Sequence, residues 1–155
     1  MIKTDSIQLG QKTGLYIASS GKSGLGLFCS QQTTPNEVIE TCCAIVFNEQ
    51  DAINIDKTHI YNYYFSMSFL DADESLKLGI QDKEKAGCLV LGALSMANHS
   101  GKPNAIITKE VCNSQIVFTL KAITSIAPHE EITISYGHVW FPLTDQPSVN
   151  KRRWR

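Results

Sequence analysis

Three short clusters contain the residue types and spacing that could bind a ligand or support chemistry: residues 21–26 (GKSGLG), 98–100 (NHS) and 134–141 (ISYGHVWF). Glycines allow a backbone to approach a ligand closely. Asparagine and histidine can hydrogen-bond a polar ligand, and a tyrosine hydroxyl at a strand end can direct a hydrogen bond into a pocket. Each cluster taken alone is equally typical of a hairpin turn, a polar loop or an aromatic core residue.

Several familiar catalytic sites are excluded by spacing. Gly21-Lys22-Ser23 ends like a phosphate-binding loop, but Tyr16 stands where that motif requires its first glycine. The four histidines lack the spacing of a zinc hydrolase, and no serine elbow of the form G-x-S-x-G is present. A cysteine–histidine enzyme stays open, because its two residues need not be close in sequence.

Short strands must position these clusters. Segments that alternate or are rich in β-branched residues predict strands at residues 14–19, 25–30, 37–47, 114–123 and 131–136. Residues 48–86 are polar and contain an aromatic cluster and the acidic run 71–74, which together predict helical turns and loops inserted between two β regions. Because helices do not alternate regularly with strands, we expect a mostly β or β-rich α+β domain.

Composition and charge exclude further classes. The chain has 155 residues, 43% hydrophobic and 19% charged, which excludes a disordered, collagen-like or coiled-coil protein. Four of the fourteen Lys and Arg residues lie in residues 151–155, so residues 1–150 carry ten positive charges against fifteen negative ones. A nucleic acid would have to bind the basic tail, whereas a basic peptide could bind the acidic body.

The cysteines and the apolar runs indicate the compartment. Five cysteines, without any C-x-x-C pair, favour free thiols in a reducing compartment of cytoplasmic or nuclear type. The first 14 residues contain no apolar signal-peptide core, and the run 87–97 is well short of the ~20 residues that span a bilayer. We therefore expect a soluble protein without a signal peptide or transmembrane segment.

In order and wording, the three clusters resemble the SET domain, the catalytic unit of protein lysine methyltransferases. Residues 22–28 (KSGLGLF) are similar to its N-terminal glycine motif, and residues 94–104 (LSMANHSGKPN) to its N-H-S-x-x-P-N segment. Residues 126–137 (IAPHEEITISYG) resemble I-x-x-G-E-E-I-T-x-S-Y-G, and residues 33–39 resemble I-x-x-G-E-x-I. Asn36 and His129 stand where these last two motifs favour glycine.

The resemblance implies a SET-like fold of several small sheets of short strands, with a C-terminal segment threaded beneath a preceding loop as in a pseudoknot. It implies a SET domain over residues 1–141, a variable insert at about 48–86 and a short basic tail at 142–155. The length is similar to compact stand-alone SET proteins of viral or bacterial type. Because no cysteine follows residue 137, no zinc cluster and no other metal site is expected.

The implied function is transfer of a methyl group from S-adenosyl-L-methionine to a lysine of a protein, with S-adenosyl-L-homocysteine as the product. A lysine with a pKa of about 10.4 is almost entirely protonated at neutral pH. A dry channel and the sulfonium charge would both lower that pKa. Because the transfer is an in-line displacement that needs little proton chemistry from side chains, positioning dominates the barrier.

By resemblance, Tyr136 is the catalytic residue that lines the lysine channel, and Trp140 forms part of its wall. Tyr63 is preferred to Tyr64 as a contact from the insert, although core packing stays open for both. The residues implied in cofactor binding are Lys22, Gly24, Leu25, Gly26, Tyr63, Asn98, His99 and Phe141.

The expected partner is a protein with a basic, lysine-containing segment, such as a histone. Neither a membrane nor a nucleic acid is expected as a partner. A homodimer is left open, because a small member without flanking elements could complete its groove with a second copy. The alternative function is a catalytically weak SET-like module that binds basic peptides, which the replaced glycines at Asn36 and His129 would favour.

Overall fold

The computed structural model describes residues 6–22, 24–112 and 114–136. Short strands dominate it, as the sequence predicts. The strands are β1 (Gly10–Gln11), β2 (Leu15–Ser19), β3 (Leu25–Cys29), β4 (Val38–Phe47), β5 (Tyr64–Ser66), β6 (Gly87–Val90), β7 (Asn98–His99), β8 (Ala105–Cys112), β9 (Gln115–Ala122) and β10 (Glu131–Ile134). The helices are α1 (Glu49–Ile55) and α2 (Ala72–Lys77), with 3₁₀ turns at His59–Asn62 and Ala93–Met96.

The strands form two sheets. The larger has the order β5-β6-β4-β9-β8, with β1 paired to β4, and the smaller has the order β2-β3-β10-β7. One hydrophobic cluster joins the two sheets, with Leu27 of β3 and Ile132 of β10 in the same core as Ile39 of β4 and Leu120 of β9. All four of these side chains are fully buried. The two sheets therefore share one hydrophobic core.

All five predicted strands are confirmed, and the β-rich prediction with them. Strands β1, β5, β6, β7 and β8 are additional. The insert contains α1, a 3₁₀ turn and α2, as predicted, but it also contributes β5 to the edge of the large sheet, where it pairs with β6. Because Tyr64 and Phe65 are buried there, the insert is anchored in the fold.

The acidic run at residues 71–74 is used mainly to build α2. Asp71 accepts a hydrogen bond from the Glu74 N–H at 2.8 Å, and Glu74 accepts one from the Asp71 N–H at 3.0 Å, which forms a capping box. Glu74 also pairs with Lys109 of β8, and Asp73 pairs with Lys77. These carboxylates are therefore already engaged with the helix and with neighbouring lysines.

Two turns show why glycine is not essential at two motif positions. Asn36 has φ 70° and His129 has φ 65°, the left-handed conformation that glycine adopts most readily. The Asn36 N–H donates to the Ala122 carbonyl at 2.9 Å, and the His129 N–H donates to the Cys29 carbonyl at 2.7 Å. The side chain of His129 also bonds the Tyr16 hydroxyl, at 2.8 Å. At both turns a residue other than glycine adopts the backbone conformation that glycine would supply.

Within the described ranges, none of the helices has the length and apolar character needed to cross a membrane.

Candidate functional site

The small sheet brings the described parts of the three sequence clusters together. Strand β10 lies in its middle, antiparallel to β3 on one side and parallel to β7 on the other. Ile132 is opposite Leu27, and Ile134 is opposite His99. Since β3 leaves the glycine turn, β7 is the Asn-His pair and β10 leads into Tyr136, the strand order places the candidate residues side by side.

The glycine cluster forms the turn between β2 and β3. The Ser20 N–H donates to the Gly24 carbonyl at 2.8 Å, and Gly24 has a positive φ of 57°. No described atom would lie within 4 Å of a Cβ built on Gly24, so its backbone borders open space. Lys22 and Leu25 are exposed beside it, with half of the Leu25 surface accessible. Lys22, Gly24 and Leu25 therefore form an accessible surface at this turn.

Gly26 has a different role, because it is buried against two other candidate strands. A Cβ at this position would overlap the carboxylate of Glu131 and lie 3.1 Å from Nδ2 of Asn98. A contact of that kind forces neighbouring groups to move. Gly26 is therefore needed for the close approach of β3 to side chains from β10 and β7.

Asn98 is buried, with 5% of its surface accessible. Its Nδ2 donates to the Leu25 carbonyl at 3.0 Å and to Glu131 Oε1 at 2.7 Å. Two acceptors on one nitrogen fix the orientation of the amide, because a flipped amide would place an oxygen against both of them. Asn98 therefore joins β7 to β3 and β10 through its side chain.

His99 holds the segment that contains Tyr136. Its Nδ1 accepts a hydrogen bond from the Tyr136 N–H at 3.0 Å, and the two rings lie 5.3 Å apart. An accepting Nδ1 carries no proton, so the neutral ring has its proton on Nε2. Desolvation by burial lowers the pKa of His99, which favours this neutral form.

Tyr136 follows β10 and packs against the core. Its hydroxyl donates to the Ala97 carbonyl at 2.9 Å. Burial raises the pKa of Tyr136, and the nearby charge of Glu131 raises it further. The hydroxyl therefore stays protonated at neutral pH, so it can orient a polar group by hydrogen bonding but is poorly suited to act as a base.

A buried glutamate positions the chain just before Asn98. Glu40, with 4% of its surface accessible, accepts hydrogen bonds from the Ala93 N–H at 3.0 Å and the Leu94 N–H at 2.6 Å. Its Oε1 also accepts from Gln11 Nε2 at 3.0 Å. The two amides belong to the first turn of the 3₁₀ segment, which otherwise has no side-chain cap. Glu40 therefore satisfies donors that this short turn leaves open.

Sequence reasoning missed Glu40, Glu131 and Ser20 as members of this site. The usable signal for Glu40 is a charged residue inside an otherwise apolar strand, because a buried charge needs partners. Glu131 belongs to the motif at residues 126–137, but that motif does not indicate which side chains the glutamate contacts. Ser20 carries no distinguishing signal.

The two tyrosines of the insert have different environments. Tyr64 is buried, its hydroxyl donates to Asp56 at 2.7 Å, and its ring meets Phe47 edge-on at 5.1 Å. Tyr64 is therefore a core residue. Tyr63 ends the 3₁₀ turn with 40% of its surface accessible, and its contact with a cofactor stays a prediction. Trp140 and Phe141 lie outside the described residues.

Among the described residues, no group of three or more His, Cys, Asp or Glu side chains is arranged to hold a metal ion.

Comparison with known proteins identifies the family to which this chain is similar. The model of the SET domain family matches residues 24–137, more than half of the chain. This match includes the glycine turn from Gly24 onward, β7 and β10, so it covers the strands that assemble the site.

Solved structures with this fold include a candidate histone methyltransferase of Plasmodium falciparum. The two are 25% identical, with a TM-score of 0.57, and the match covers 83% of this chain and 97% of the other. The Neurospora histone lysine methyltransferase DIM-5 is 19% identical, with a TM-score of 0.62, over 87% of this chain and 56% of that chain.

The fold also occurs in a much larger assembly. A humanized mutant of Polycomb Repressive Complex 2 from Chaetomium thermophilum, bound to an inhibitor, matches over 83% of this chain with a TM-score of 0.62 and 14% identity. Only 15% of that chain is covered. The likeness to this complex and to DIM-5 therefore concerns the fold alone.

Proposed function

The chain belongs to the SET domain family, and from that premise we propose that it is an S-adenosylmethionine-dependent protein lysine methyltransferase. The observation that carries the proposal is the parallel pairing of β10 with β7, which places the protonated Tyr136 hydroxyl 2.9 Å from the carbonyl of Ala97, next to Asn98 and His99. Because its hydrogen is donated to Ala97, the Tyr136 oxygen can meet a bound group as a hydrogen-bond acceptor.

The described residues fit the cofactor. The turn at Gly24 borders open space and exposes backbone groups that could contact the methionine part. Asn98 and His99 hold fixed orientations and could present polar groups to the rest of the molecule. When bound, the cofactor supplies a methyl group on a positively charged sulfur, which leaves as the neutral thioether of S-adenosylhomocysteine.

The role proposed for Tyr136 is orientation. An attacking lysine must arrive neutral and in line with the bond that breaks, so its orientation relative to the methyl group controls the rate. Because its raised pKa keeps the Tyr136 hydroxyl protonated, the residue offers fixed polar atoms without competing for the proton of lysine. The apolar surroundings of Tyr136 also favour the neutral amine over the ammonium ion.

The proposals on substrate, domain extent and compartment rest on the resemblance to SET domains and on the similar solved structures. We take the substrate to be a lysine in a basic protein segment, of which a histone is one example, since two of the similar structures are described as histone methyltransferases. Residues 1–141 would form a compact SET domain followed by a basic tail, with the C-terminal segment threaded beneath a loop, working in a reducing compartment. Trp140 and Phe141 would complete the channel and the cofactor site.

The departures from glycine do not favour the alternative of a catalytically weak binding module. Asn36 and His129 adopt the backbone conformation that glycine would supply, and neither lies among the side chains that join β3, β7 and β10. The observation that motivated this alternative is therefore explained by turn geometry alone.

The test combines binding and turnover. Calorimetric titration with S-adenosylmethionine should show one site, and radiolabel from the methyl group should pass to histones or to proteins in a cell lysate. Tyr136→Phe should keep cofactor binding and lose most of the label transfer. Well-folded protein that binds no cofactor would overturn the proposal, and cofactor binding without any labelled acceptor would favour the binding module.

A further inference from the structure

We propose that the carboxylate of Glu131 is the positioning group that holds the glycine turn, β7 and β10 in one arrangement, and that Ser20 is its partner in this role. The inference rests on the proposed function, because the three segments are the ones assigned to the cofactor and to Tyr136. Neither Glu131 nor Ser20 is assigned a role by the sequence motifs.

The two oxygens of Glu131 bond two different segments. Oε1 accepts from Asn98 Nδ2 at 2.7 Å, and Oε2 accepts from the Ser20 hydroxyl at 2.9 Å. Asn98 Nδ2 also donates to the Leu25 carbonyl, at the other end of the glycine turn from Ser20. A closed ring of hydrogen bonds therefore runs from the turn to β10, from β10 to β7, and back to the turn.

The directions of these bonds suit a carboxylate, which lets both donors keep their present orientation. The Ser20 oxygen accepts a hydrogen bond from the Lys22 N–H at 3.1 Å, so its own hydrogen is directed to Glu131. Asn98 Nδ2 is a donor only. An ionised carboxylate accepts at both oxygens, whereas a glutamine would place an NH₂ group against one of these donors. Bonds to a charged acceptor are also roughly twice as strong as neutral ones.

The space for this carboxylate is provided by Gly26. A side chain there would occupy the position of Glu131 Oε1 and crowd Asn98, so the missing Cβ and the partly buried acid are complementary. The glycine motif thus has two roles. Gly24 opens the turn toward solvent, and Gly26 admits the group that fixes the turn to the rest of the site.

The experiment compares Glu131→Gln, Ser20→Ala and the double variant with the wild-type protein. The probes are S-adenosylmethionine in calorimetry and steady-state kinetics with a methyl-accepting histone peptide. Glu110→Gln, at an exposed position on β8, is the matched control for the loss of one carboxylate. Ser20→Thr keeps the hydroxyl and is the conservative variant.

We expect Glu131→Gln to raise the cofactor Kd and KM by about tenfold, as suits the loss of one charged hydrogen bond. The KM for the peptide should change by less than about twofold, since the ring touches the assigned cofactor segments. Ser20→Ala should act in the same direction and add little in the double variant, because both changes break one ring. Ser20→Thr should retain wild-type binding, and Glu110→Gln should have no effect.

Three outcomes would overturn the inference. One is a Glu131→Gln protein that binds the cofactor as well as the Glu110→Gln control. Another is full additivity of Ser20→Ala and Glu131→Gln, and the third is an equal rise in both KM values. If Glu131→Gln does not fold, Ser20→Ala against Ser20→Thr decides the question alone. Wild-type protein that binds no cofactor would overturn the proposed function as well, so the two failures are distinguishable.

Discussion

The ring of His99 accepts a hydrogen bond from the backbone N–H of Tyr136, with 3.0 Å between Nδ1 and the amide nitrogen. The bond exists only while Nδ1 carries no proton. It ties the backbone of the proposed catalytic residue to the protonation state of a half-buried histidine.

This contact predicts a pH dependence. Burial lowers the pKa of His99 below its ordinary value of 6.5, so the unfolded chain binds the proton more readily than the folded one. The stabilisation by neutral His99 is therefore fully present above pH 6.5 and is lost as the pH falls through the lowered pKa. The melting temperature, measured from pH 8 to pH 5, should fall over that range.

The control for this prediction is His99→Asn. Asn Oδ1 sits on the same atom, Cγ, as His Nδ1, so it can accept the Tyr136 N–H but does not titrate. The variant should show a smaller loss of melting temperature on acidification than the wild-type protein. Parallel curves for the two proteins would contradict a role for His99 protonation, because carboxylates would then account for the whole effect.

The hydroxyl of Tyr136 is predicted to matter more for turnover than for stability. Tyr136→Phe removes one hydrogen bond, to the Ala97 carbonyl, which is worth about 1 kcal/mol of unfolding free energy. Loss of a group that orients the reacting atoms should lower kcat by about 10²-fold. Chemical denaturation and label transfer measure the two effects.

Tyr64→Phe is the matched comparison for Tyr136→Phe. It also removes a hydroxyl bond, to the carboxylate of Asp56, from the core next to Phe47. It should cost at least as much free energy, because the acceptor is a carboxylate, and leave kcat within about twofold. If both variants lose activity in proportion to their stability, Tyr136 has no special role in the reaction.

Glu40 is predicted to stabilise the turn that leads into Asn98. Glu40→Ala leaves the amides of Ala93 and Leu94 and the side chain of Gln11 without their acceptor, so the unfolding free energy should fall by about 3 kcal/mol. Urea denaturation measures the loss. Glu110→Ala, on an exposed position, should cost less than about 0.5 kcal/mol, and a similar loss in both variants would contradict the capping role.

Thr33 offers a stabilising change away from the site. Its hydroxyl is fully buried and has no hydrogen-bond partner among the described residues, although its backbone pairs with Ile126. Thr33→Val has nearly the same shape and removes the unsatisfied oxygen, so stability should rise by about 1 kcal/mol. Thr119→Val, which removes a hydroxyl bonded to Thr41 at 3.3 Å, should instead lower the melting temperature.

Local pattern was enough to predict the strands whose own residues alternate or are densely apolar, but not the strands whose pairing depends on distant partners. Strand β4 is rich in apolar and β-branched residues, and β10 alternates, so both are visible in sequence. Strand β7 has two residues and exists only because it pairs with β10, a partner that local sequence does not reveal. Strand β8 carries a weaker signal, since the partly buried Ile107 lies between the exposed Ile106 and Thr108.

The site was predictable only where the motifs name its residues. Asn98, His99 and Tyr136 come together as expected, because β10 lies between β3 and β7. The roles of Glu40 and Glu131 depend on contacts with residues far away in sequence, such as Leu94 and Ser20. The packing of the two sheets determines these partners, and the hydrophobic periodicity of the sequence does not reveal which distant residues come into contact.

The central place of β10 also sets the order in which the site can be assembled. Its partner Leu27 belongs to one of the first strands made during synthesis, and most of the described chain separates the two. Pairings between such distant segments form slowly, because the intervening loop must first be closed. We therefore expect the hydrogen bonds that join the glycine turn and Asn98 to Glu131 to form only after β10 has emerged from the ribosome, so that binding competence appears in a late step.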